Sequence, residues 1–177
     1  MNRSLFLFDI DGTLIRSFMR DGGQDQDYDL IEVLPGRSVA LEALRGDGHD
    51  VALVTNQAGV AFGYQTTADV RRKLQRVLKA LGLGGGIRTT EGERCSPPPV
   101  AYVSFAHPKA TIDLFLSDSD WRKPGGGMIR QAMLDHDVSA ASTTFVGDMD
   151  SDQAAAEAAG VRYMHADDFF ELGMAIG

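Results

Sequence analysis

Two aspartates, Asp9 and Asp11, stand one residue apart directly behind the apolar run of the segment LFLFDIDGT, residues 5–13. Carboxylates can bind a metal ion, attack as nucleophiles or transfer protons. Further polar groups also follow an apolar run or open a predicted helix: Thr55, Asn56 and Gln57, then Arg122 and Lys123, then Asp148, Asp150 and Asp152. If the apolar runs are parallel strands, these groups converge at one edge of a sheet.

The spacing of Asp9 and Asp11 places both side chains on the same side if the strand continues through them, because side chains alternate along a strand. Gly12, which follows, permits the chain to turn. A lone DGT segment is also typical of a turn or a helix cap. The other polar groups therefore decide between a catalytic and a structural role for the two acids.

Short apolar runs alternate with helical patterns along the chain. Buried parallel strands are predicted at residues 5–8, 51–54, 143–146 and 161–164, with a fifth at 100–105 and a sixth at 112–116. Helices are predicted at about 38–45, 126–135 and 152–159. The clearest helix follows a Thr66/Asp69 capping box and has an apolar face formed by Val70, Leu74, Val77, Leu78 and Leu81. This alternation predicts an α/β fold with a doubly wound parallel sheet.

Two segments do not fit the alternation. Residues 16–34 are acidic with little periodicity and are predicted to form a solvated excursion, and residues 84–99 are rich in Gly and Pro and are predicted to be loop. Neither segment is long enough for a second domain, so the 177 residues are predicted to form one domain, 1–177. Residues 14–35 are also too short for a substantial cap domain, which predicts a site open to solvent.

Composition restricts the classes of partner. The formal net charge of -8, from 25 acids and 17 bases, disfavours attraction to nucleic acid or an anionic membrane and favours small ligands. No apolar stretch is long enough to span a membrane, and Asp9 comes too early for the apolar region of a signal peptide. The single cysteine, Cys95, excludes an internal disulfide and fits a cytoplasmic location. Nothing in the sequence directly supports an oligomer.

The segments DIDGT, VTNQAG, RKPGGGM and VGDMDSD, in this order, resemble the four motifs of the haloacid dehalogenase-like phosphohydrolases. The resemblance spans about residues 5–163. VTNQAGVAFG and RKPGGGM are most similar to the branch containing histidinol-phosphate phosphatase and D-glycero-D-manno-heptose 1,7-bisphosphate 7-phosphatase. Polynucleotide 3′-phosphatases share much of this pattern.

The resemblance implies how the reaction would proceed. Asp9 would be the nucleophile that forms an aspartyl-phosphate, and Asp11 would protonate the leaving oxygen and then activate water. A Mg²⁺ ion, held by Asp9, Asp148 and the backbone carbonyl of Asp11, would offset the repulsion between carboxylate and phosphate. Asp152 would be a supporting acid, whereas Asp150 is more typical of a solvated loop.

The resemblance also implies the groups that bind substrate. The Thr55 hydroxyl and the Lys123 ammonium would bind phosphate oxygens, and Lys123 would also restrain Asp9. Asn56 would orient Asp11 or the substrate. Arg122 would be a substrate contact, although a surface charge is an equally good interpretation of this residue.

The chain departs from this branch in the region that often carries a zinc loop. Ser119 and Trp121 stand where a closing pair of cysteines is expected, so no structural zinc is predicted, and His107 is interpreted as an ordinary loop residue. Phe62 stands where the branch often has arginine. The substrates of the branch therefore do not transfer automatically to this chain.

The predicted function is Mg²⁺-dependent hydrolysis of a phosphomonoester, with a sugar phosphate or bisphosphate as the type of substrate. A polynucleotide 3′-phosphatase is the alternative enzyme, favoured by a basic helix formed by Arg71, Arg72, Lys73, Arg76 and Lys79. The structural interpretation of that helix, a solvated face opposite its apolar side chains, is preferred. The alternative of another class is a catalytically inactive phosphate-binding or scaffold protein.

Overall fold

The computed structural model describes residues 3–16 and 31–174, with side chains described as far as Glu171. Its strands are β1 (Leu5–Phe8), β2 (Asp50–Asn56), β3 (Ile87–Arg88), β4 (Ala101–Ser104), β5 (Thr143–Gly147) and β6 (Arg162–His165). They form one parallel sheet in the order β3-β4-β2-β1-β5-β6. Strand β1 lies between β2 and β5, where the strand order reverses, and this is the position at which such sheets bind ligands.

The helices are α1 (Arg37–Gly46), α2 (Thr67–Ala80), α3 (Gly127–His136), α4 (Asp150–Ala159) and α5 (Ala166–Met174). They cover both faces of the sheet, which explains why the central part of β1 and β2 is apolar on both sides rather than alternating. Phe6 and Phe8 of β1 belong to the core shared with α1, α2 and α5, whereas Leu5 and Leu7 belong to the core shared with α3 and α4. Because side chains alternate along a strand, residue 9 follows on the side of Leu5 and Leu7.

The termini of α2 are defined as the sequence predicts. Thr66 accepts a hydrogen bond from the backbone N–H of Asp69, and the Asp69 carboxylate accepts one from the backbone N–H of Thr66, which completes a capping box. Val70, Leu74 and Val77 are fully buried on the face toward the sheet. The helix is therefore fixed at its start and along one side.

A buried carboxylate ties α3 to the β3–β4 edge of the sheet. The side chain of Asp135 accepts hydrogen bonds from Arg88 of β3, from the hydroxyl of Tyr102 in β4, from Gln131 and from the backbone N–H of Cys95. Burial, reinforced by the charge of Asp135, raises the pKa of Tyr102. The segment between β3 and β4 is thus anchored at Cys95 although it has no regular structure there.

The predicted α/β fold with a doubly wound parallel sheet is confirmed, and five of the predicted strands lie within about two residues of the observed ones. The strand predicted at 112–116 is wrong. These residues contain a short 3-10 turn, Asp113–Phe115, and Ile112, Leu114 and Leu116 are exposed. Asp113 interrupts the apolar run, and only Phe115 packs against the core.

Two elements were not predicted. Strand β3 has only two residues and lies inside the segment 84–99 that the sequence predicts to be loop. Helix α5 begins directly after β6, and its Phe169 and Phe170 rings pack on Phe8. Residues 16–34 are predicted to form a solvated excursion, and residues 14–35 are predicted to be too short for a cap domain. Both predictions concern mainly residues 17–30, which lie outside the described residues.

None of the helices in the described part of the chain combines the length and the apolarity needed to cross a membrane.

Candidate active site

A buried ammonium lies between two buried carboxylates at the carboxyl end of β1. Lys123 Nζ is 2.5 Å from Asp9 Oδ1 and 2.6 Å from Asp152 Oδ1. The three side chains are between 1% and 9% exposed, so solvent screens their charges poorly. A third hydrogen bond, 3.3 Å long, joins Lys123 Nζ to the backbone oxygen of Val54. The ammonium therefore uses all three of its protons within the protein.

Each member of this group is held by a different element. The backbone N–H of Asp9 donates to the oxygen of Val146, which extends the β1–β5 pairing beyond Phe8. Asp152 lies in the first turn of α4, where its Oδ2 accepts the backbone N–H groups of Asp148 and Met149. Both residues thus occupy positions that the fold defines, with Lys123 between them.

The loop that carries Lys123 is attached to β2 by one side chain. Asn56 Nδ2 donates to the backbone oxygen of Lys123 at 2.9 Å, and Asn56 Oδ1 accepts the Lys123 backbone N–H at 3.1 Å. The amide group pairs with the Lys123 main chain as a neighbouring strand would. This pairing fixes the start of the Lys123 side chain.

The electrostatics of the group follow from its burial. Burial raises the pKa of Asp9 to about 7, against the attraction of Lys123 and with a smaller contribution from the charge of Asp152. For Lys123, burial acts to lower the pKa, but the two carboxylates outweigh it and the pKa of the ammonium is raised. The cation is therefore permanent, while Asp9 holds its negative charge with difficulty.

Asp148 completes a set of oxygen ligands suited to a hard cation. One carboxylate oxygen each from Asp9, Asp148 and Asp152 lie within 4.8 Å of one another. Both oxygens of Asp152 accept hydrogen bonds, Oδ1 from Lys123 and Oδ2 from backbone N–H groups. Thr13 donates to Asp148 Oδ1, and Lys123 donates to Asp9 Oδ1. Among the described residues, the hydrogen bonds leave Oδ2 free on both Asp9 and Asp148. A divalent cation such as Mg²⁺ fits this donor set.

Gly12 makes room for the Asp148 carboxylate. A Cβ atom at position 12 would lie 2.3 Å from Asp148 Oδ2, and the φ of 95° at this residue is one that other residues rarely adopt. The turn after the two acids therefore requires glycine for space and for backbone conformation. The oxygen that Gly12 accommodates is the same oxygen that remains free for a cation.

Asp11 reaches a different set of partners from Asp9. Lys73 Nζ, from α2, is 2.8 Å from Asp11 Oδ1 and 3.1 Å from Asp11 Oδ2. Gln57 Nε2 donates to Asp11 Oδ2 and to Thr55 Oγ1, each at 2.9 Å. The strand ends at Phe8, so the alternation that would place both acids on one side does not extend to Asp11. The two carboxylates are neighbours in sequence with separate cations.

The structure brings together most of the residues that the sequence predicts to form the site. Asp9, Lys123, Asp148 and Asp152 form one cluster, and Asp11 joins Thr55 through Gln57. Asp150 is exposed at the start of α4 and is not part of the cluster.

Asn56 and Arg122, which are predicted to contact substrate, both bind backbone groups in the structure. Asn56 pairs with the Lys123 main chain, and the side chain that holds Asp11 is Gln57, so Asn56 is not the group that orients Asp11, whereas a contact between Asn56 and the substrate stays a prediction. Arg122 is half-buried, its guanidinium donates to the backbone oxygen of Ala106, and burial lowers its pKa.

Sequence reasoning missed Lys73. The five basic residues of α2 were interpreted as a solvated face, and four of them are exposed, but Lys73 is only 9% exposed. Its position three residues after Val70 and one before Leu74 places it beside the apolar stripe, which is the available signal. Gln57 was noticed only as part of a polar cluster.

The region of the missing zinc loop carries an aromatic group. The ring centroids of Phe62 and His107 are 4.8 Å apart, and the Tyr64 ring stacks on Phe62 with its centroid at 6.0 Å. Cys95 instead contacts Arg88 and Asp135 on the far side of β4. Burial and the neighbouring charge of Arg122 lower the pKa of His107.

Comparisons with known proteins agree with this geometry. The family model described as polynucleotide kinase 3 phosphatase matches residues 4–171. A D-glycero-alpha-D-manno-heptose-1,7-bisphosphate 7-phosphatase from Burkholderia mallei is 34% identical over 160 residues, which cover 90% of this chain and 77% of the relative. A D-glycero-D-manno-heptose-1,7-bisphosphate 7-phosphatase from Chlorobaculum tepidum is 31% identical over 163 residues, covering 89% and 75%.

A solved structure has the same fold over nearly its whole length. It is the D,D-heptose 1.7-bisphosphate phosphatase from B. bronchiseptica, complexed with magnesium and phosphate. It is 25% identical to this chain, has a TM-score of 0.67, and the match covers 98% of this chain and 99% of that one. The chain therefore belongs to the polynucleotide kinase 3 phosphatase family of haloacid dehalogenase-like phosphatases, in the branch that includes the heptose bisphosphate phosphatases.

Proposed function

We propose that this chain is a Mg²⁺-dependent phosphomonoester hydrolase that acts through an aspartyl-phosphate at Asp9, on a small phosphorylated metabolite such as a sugar phosphate or bisphosphate. One observation carries the proposal. A buried carboxylate with one free oxygen lies beside Lys123 and Asp148 at the ligand-binding edge of the sheet. This arrangement supports the proposal, because the reaction needs a nucleophile, a cation and a further carboxylate oxygen close to one another.

The reaction proceeds in two transfers. Asp9 Oδ2 forms a bond to phosphorus while the bond to the leaving oxygen breaks, and Asp11 gives that oxygen its proton. Asp11, now ionised, accepts a proton from a water molecule, which attacks phosphorus and releases Asp9 and inorganic phosphate. Atoms and charge balance over the cycle, because the proton that Asp11 gives to the alcohol is replaced by one from water.

The side chains around Asp9 bind the phosphate and hold the nucleophile. Lys123 restrains Asp9 through Oδ1 and offers its charge to the phosphate, and the buried Thr55 hydroxyl is a phosphate ligand. The Asp9 and Asp148 carboxylates, with the main-chain carbonyl of Asp11, are the groups that would hold Mg²⁺. When bound, Mg²⁺ supplies positive charge that offsets the repulsion between the Asp9 carboxylate and the phosphate dianion.

The relatives indicate the class of substrate. The similar proteins from Burkholderia mallei and Chlorobaculum tepidum are named for a heptose bisphosphate, and we propose a sugar bisphosphate or a related metabolite as the substrate here. The family description also names a polynucleotide 3′-phosphatase, which is the second candidate. The net charge of -8 favours the metabolite over the polynucleotide, and the cytoplasm is the proposed compartment.

A substrate screen tests the proposal. Purified protein with Mg²⁺ is offered sugar phosphates, sugar bisphosphates and a 3′-phosphorylated oligonucleotide, and phosphate release is measured for wild type, Asp9→Asn and Asp47→Asn. Asp47 is an exposed residue at the end of α1 and is the matched control. We expect turnover by wild type and Asp47→Asn only, and preferred release from a sugar phosphate or bisphosphate. Equal turnover by Asp9→Asn would contradict the role of Asp9, and inactivity on the whole panel would favour a phosphate-binding protein.

A further inference from the structure

We propose that Lys73 is a positioning residue that holds the carboxyl group of Asp11 for proton transfer to the leaving oxygen, an inference that rests on the proposed function. Lys73 Nζ contacts both Asp11 oxygens, at 2.8 and 3.1 Å, and joins residues 62 positions apart. Only 11% of the Lys73 side chain is exposed. A long lysine side chain loses considerable rotational freedom when it is fixed in this way.

The neighbours of Lys73 on α2 show that this orientation is specific. Arg71 and Arg72, which precede it, are exposed, as the sequence predicts for a solvated face. Lys73 instead lies beside the buried Val70 and Leu74, at the border between the apolar stripe and solvent. The border position directs its ammonium to Asp11, and the capping box at Thr66 fixes the helix that carries it.

Asp11 is held from two directions. Gln57 Nε2 binds Asp11 Oδ2 and Thr55 Oγ1, and Lys73 bridges both Asp11 oxygens. With these donors in place, the Asp11 carboxylate is held toward α2, and the free carboxylate oxygens at the cation site, among the described residues, are those of Asp9 and Asp148. Without these contacts the Asp11 side chain would sample other rotamers, in which its oxygens are not held for proton transfer.

This division assigns a separate cation to each acid. Lys123 binds Asp9, the group that must attack phosphorus, whereas Lys73 binds Asp11, the group that must reach the oxygen that leaves. Lys73 has no contact with Asp9, Asp148 or Asp152 among the described residues. Its removal should therefore impair the proton transfer while the nucleophile and the cation site remain intact.

The dependence of the rate on the leaving group tests this role. An alkyl phosphate such as glycerol phosphate releases an alkoxide that needs a proton, while p-nitrophenyl phosphate releases a stable phenolate that does not. The rate of the first turnover, measured as release of the alcohol or phenol with Mg²⁺ present, isolates the step in which Asp11 is the acid. We expect Lys73→Met to lose about 100-fold or more on the alkyl ester, the usual range for one general acid, and less than about 10-fold on the nitrophenyl ester.

Lys79→Met, an exposed lysine on the same helix, is the matched control and should leave both rates unchanged. Lys73→Arg keeps a cation at this position and should recover part of the alkyl rate. Thermal unfolding and Mg²⁺ binding by calorimetry show whether Lys73→Met keeps its fold and its cation site.

Two results would overturn the inference while leaving the proposed function in place. One is a loss of equal size on both esters by folded Lys73→Met, and the other is no loss on either. If wild type hydrolyses neither ester nor any substrate of the screen, the proposed function fails, and the role of Lys73 fails with it.

Discussion

Replacing Lys123 with methionine should destabilise the metal-free protein strongly at pH 8. Methionine has about the length of lysine without the charge, so Asp9 and Asp152 would be left as neighbouring buried carboxylates without a cation. Removing one partner of a buried ion pair costs about 3 to 5 kcal/mol. We expect a loss of this size in the free energy of unfolding.

The loss should shrink as the pH falls. Burial already raises the pKa of Asp9 to about 7 in the wild type, and without Lys123 it should rise further. A carboxyl whose pKa is higher in the folded than in the unfolded chain stabilises the folded state at low pH and loses that effect as the pH rises. A proton retained only by the folded state contributes about 1.4 kcal/mol per pH unit. The wild type, with the pKa of Asp9 at about 7, already takes up this proton over half of the range from pH 8 to pH 6, so the deficit should narrow by about 1.4 kcal/mol.

The measurement is chemical denaturation followed by circular dichroism, in buffer with a chelator, at pH 8 and pH 6. Lys79→Met is the surface control, with an expected change below about 0.5 kcal/mol. The double variant Lys123→Met/Asp9→Asn should recover part of the loss, because it leaves only one buried carboxylate. A deficit below about 1 kcal/mol at pH 8, or one of equal size at both pH values, would refute the reasoning.

Three further predictions concern the cation site and the core. Mg²⁺ should raise the melting temperature more at pH 8 than at pH 5.5, because protons compete with the ion for Asp9, whose raised pKa is about 7; Asp9→Asn should remove most of this difference. Gly12→Ala should weaken Mg²⁺ binding at least 10-fold by calorimetry, an estimate of about 1.4 kcal/mol, because its Cβ meets Asp148 Oδ2 at 2.3 Å; unchanged affinity would show that the turn can relax. Asp135→Asn should lower the free energy of unfolding by about 3 kcal/mol, because it leaves Arg88 without its buried counter-charge; a change below about 1 kcal/mol would contradict this.

The sequence was sufficient to predict the parallel sheet because each central strand is a short apolar run. Burial on both faces leaves that signature on β1, β2 and β5. Prediction of strands from apolar runs fails at the edge of the sheet and in the loop at residues 112–116. Strand β3 has two residues, too few for a pattern, whereas residues 112–116 have the apolar composition of a strand with most of their large side chains exposed.

The sequence predicts which site residues come together only where these residues directly follow a strand. Asp9 and Asp148 stand at the ends of adjacent parallel strands, so the sheet alone brings them together. Lys73 comes from the interior of a helix, where only its place beside Val70 and Leu74 distinguishes it in sequence from the exposed arginines that precede it. The role of Asn56 as a partner for the Lys123 main chain depends on a loop conformation that periodicity does not describe.

The position of Asp9 directly after the central strand separates what must stay constant from what can vary. Its backbone is hydrogen-bonded to β5, and β2 lies on the other side of β1, so a shift of Asp9 would require a shift of the sheet. Phe62 and His107, by contrast, lie on loops that leave the ends of β2 and β4. A lineage can therefore exchange these loops, and with them the groups that could contact a substrate, while Asp9 stays in place at the end of β1.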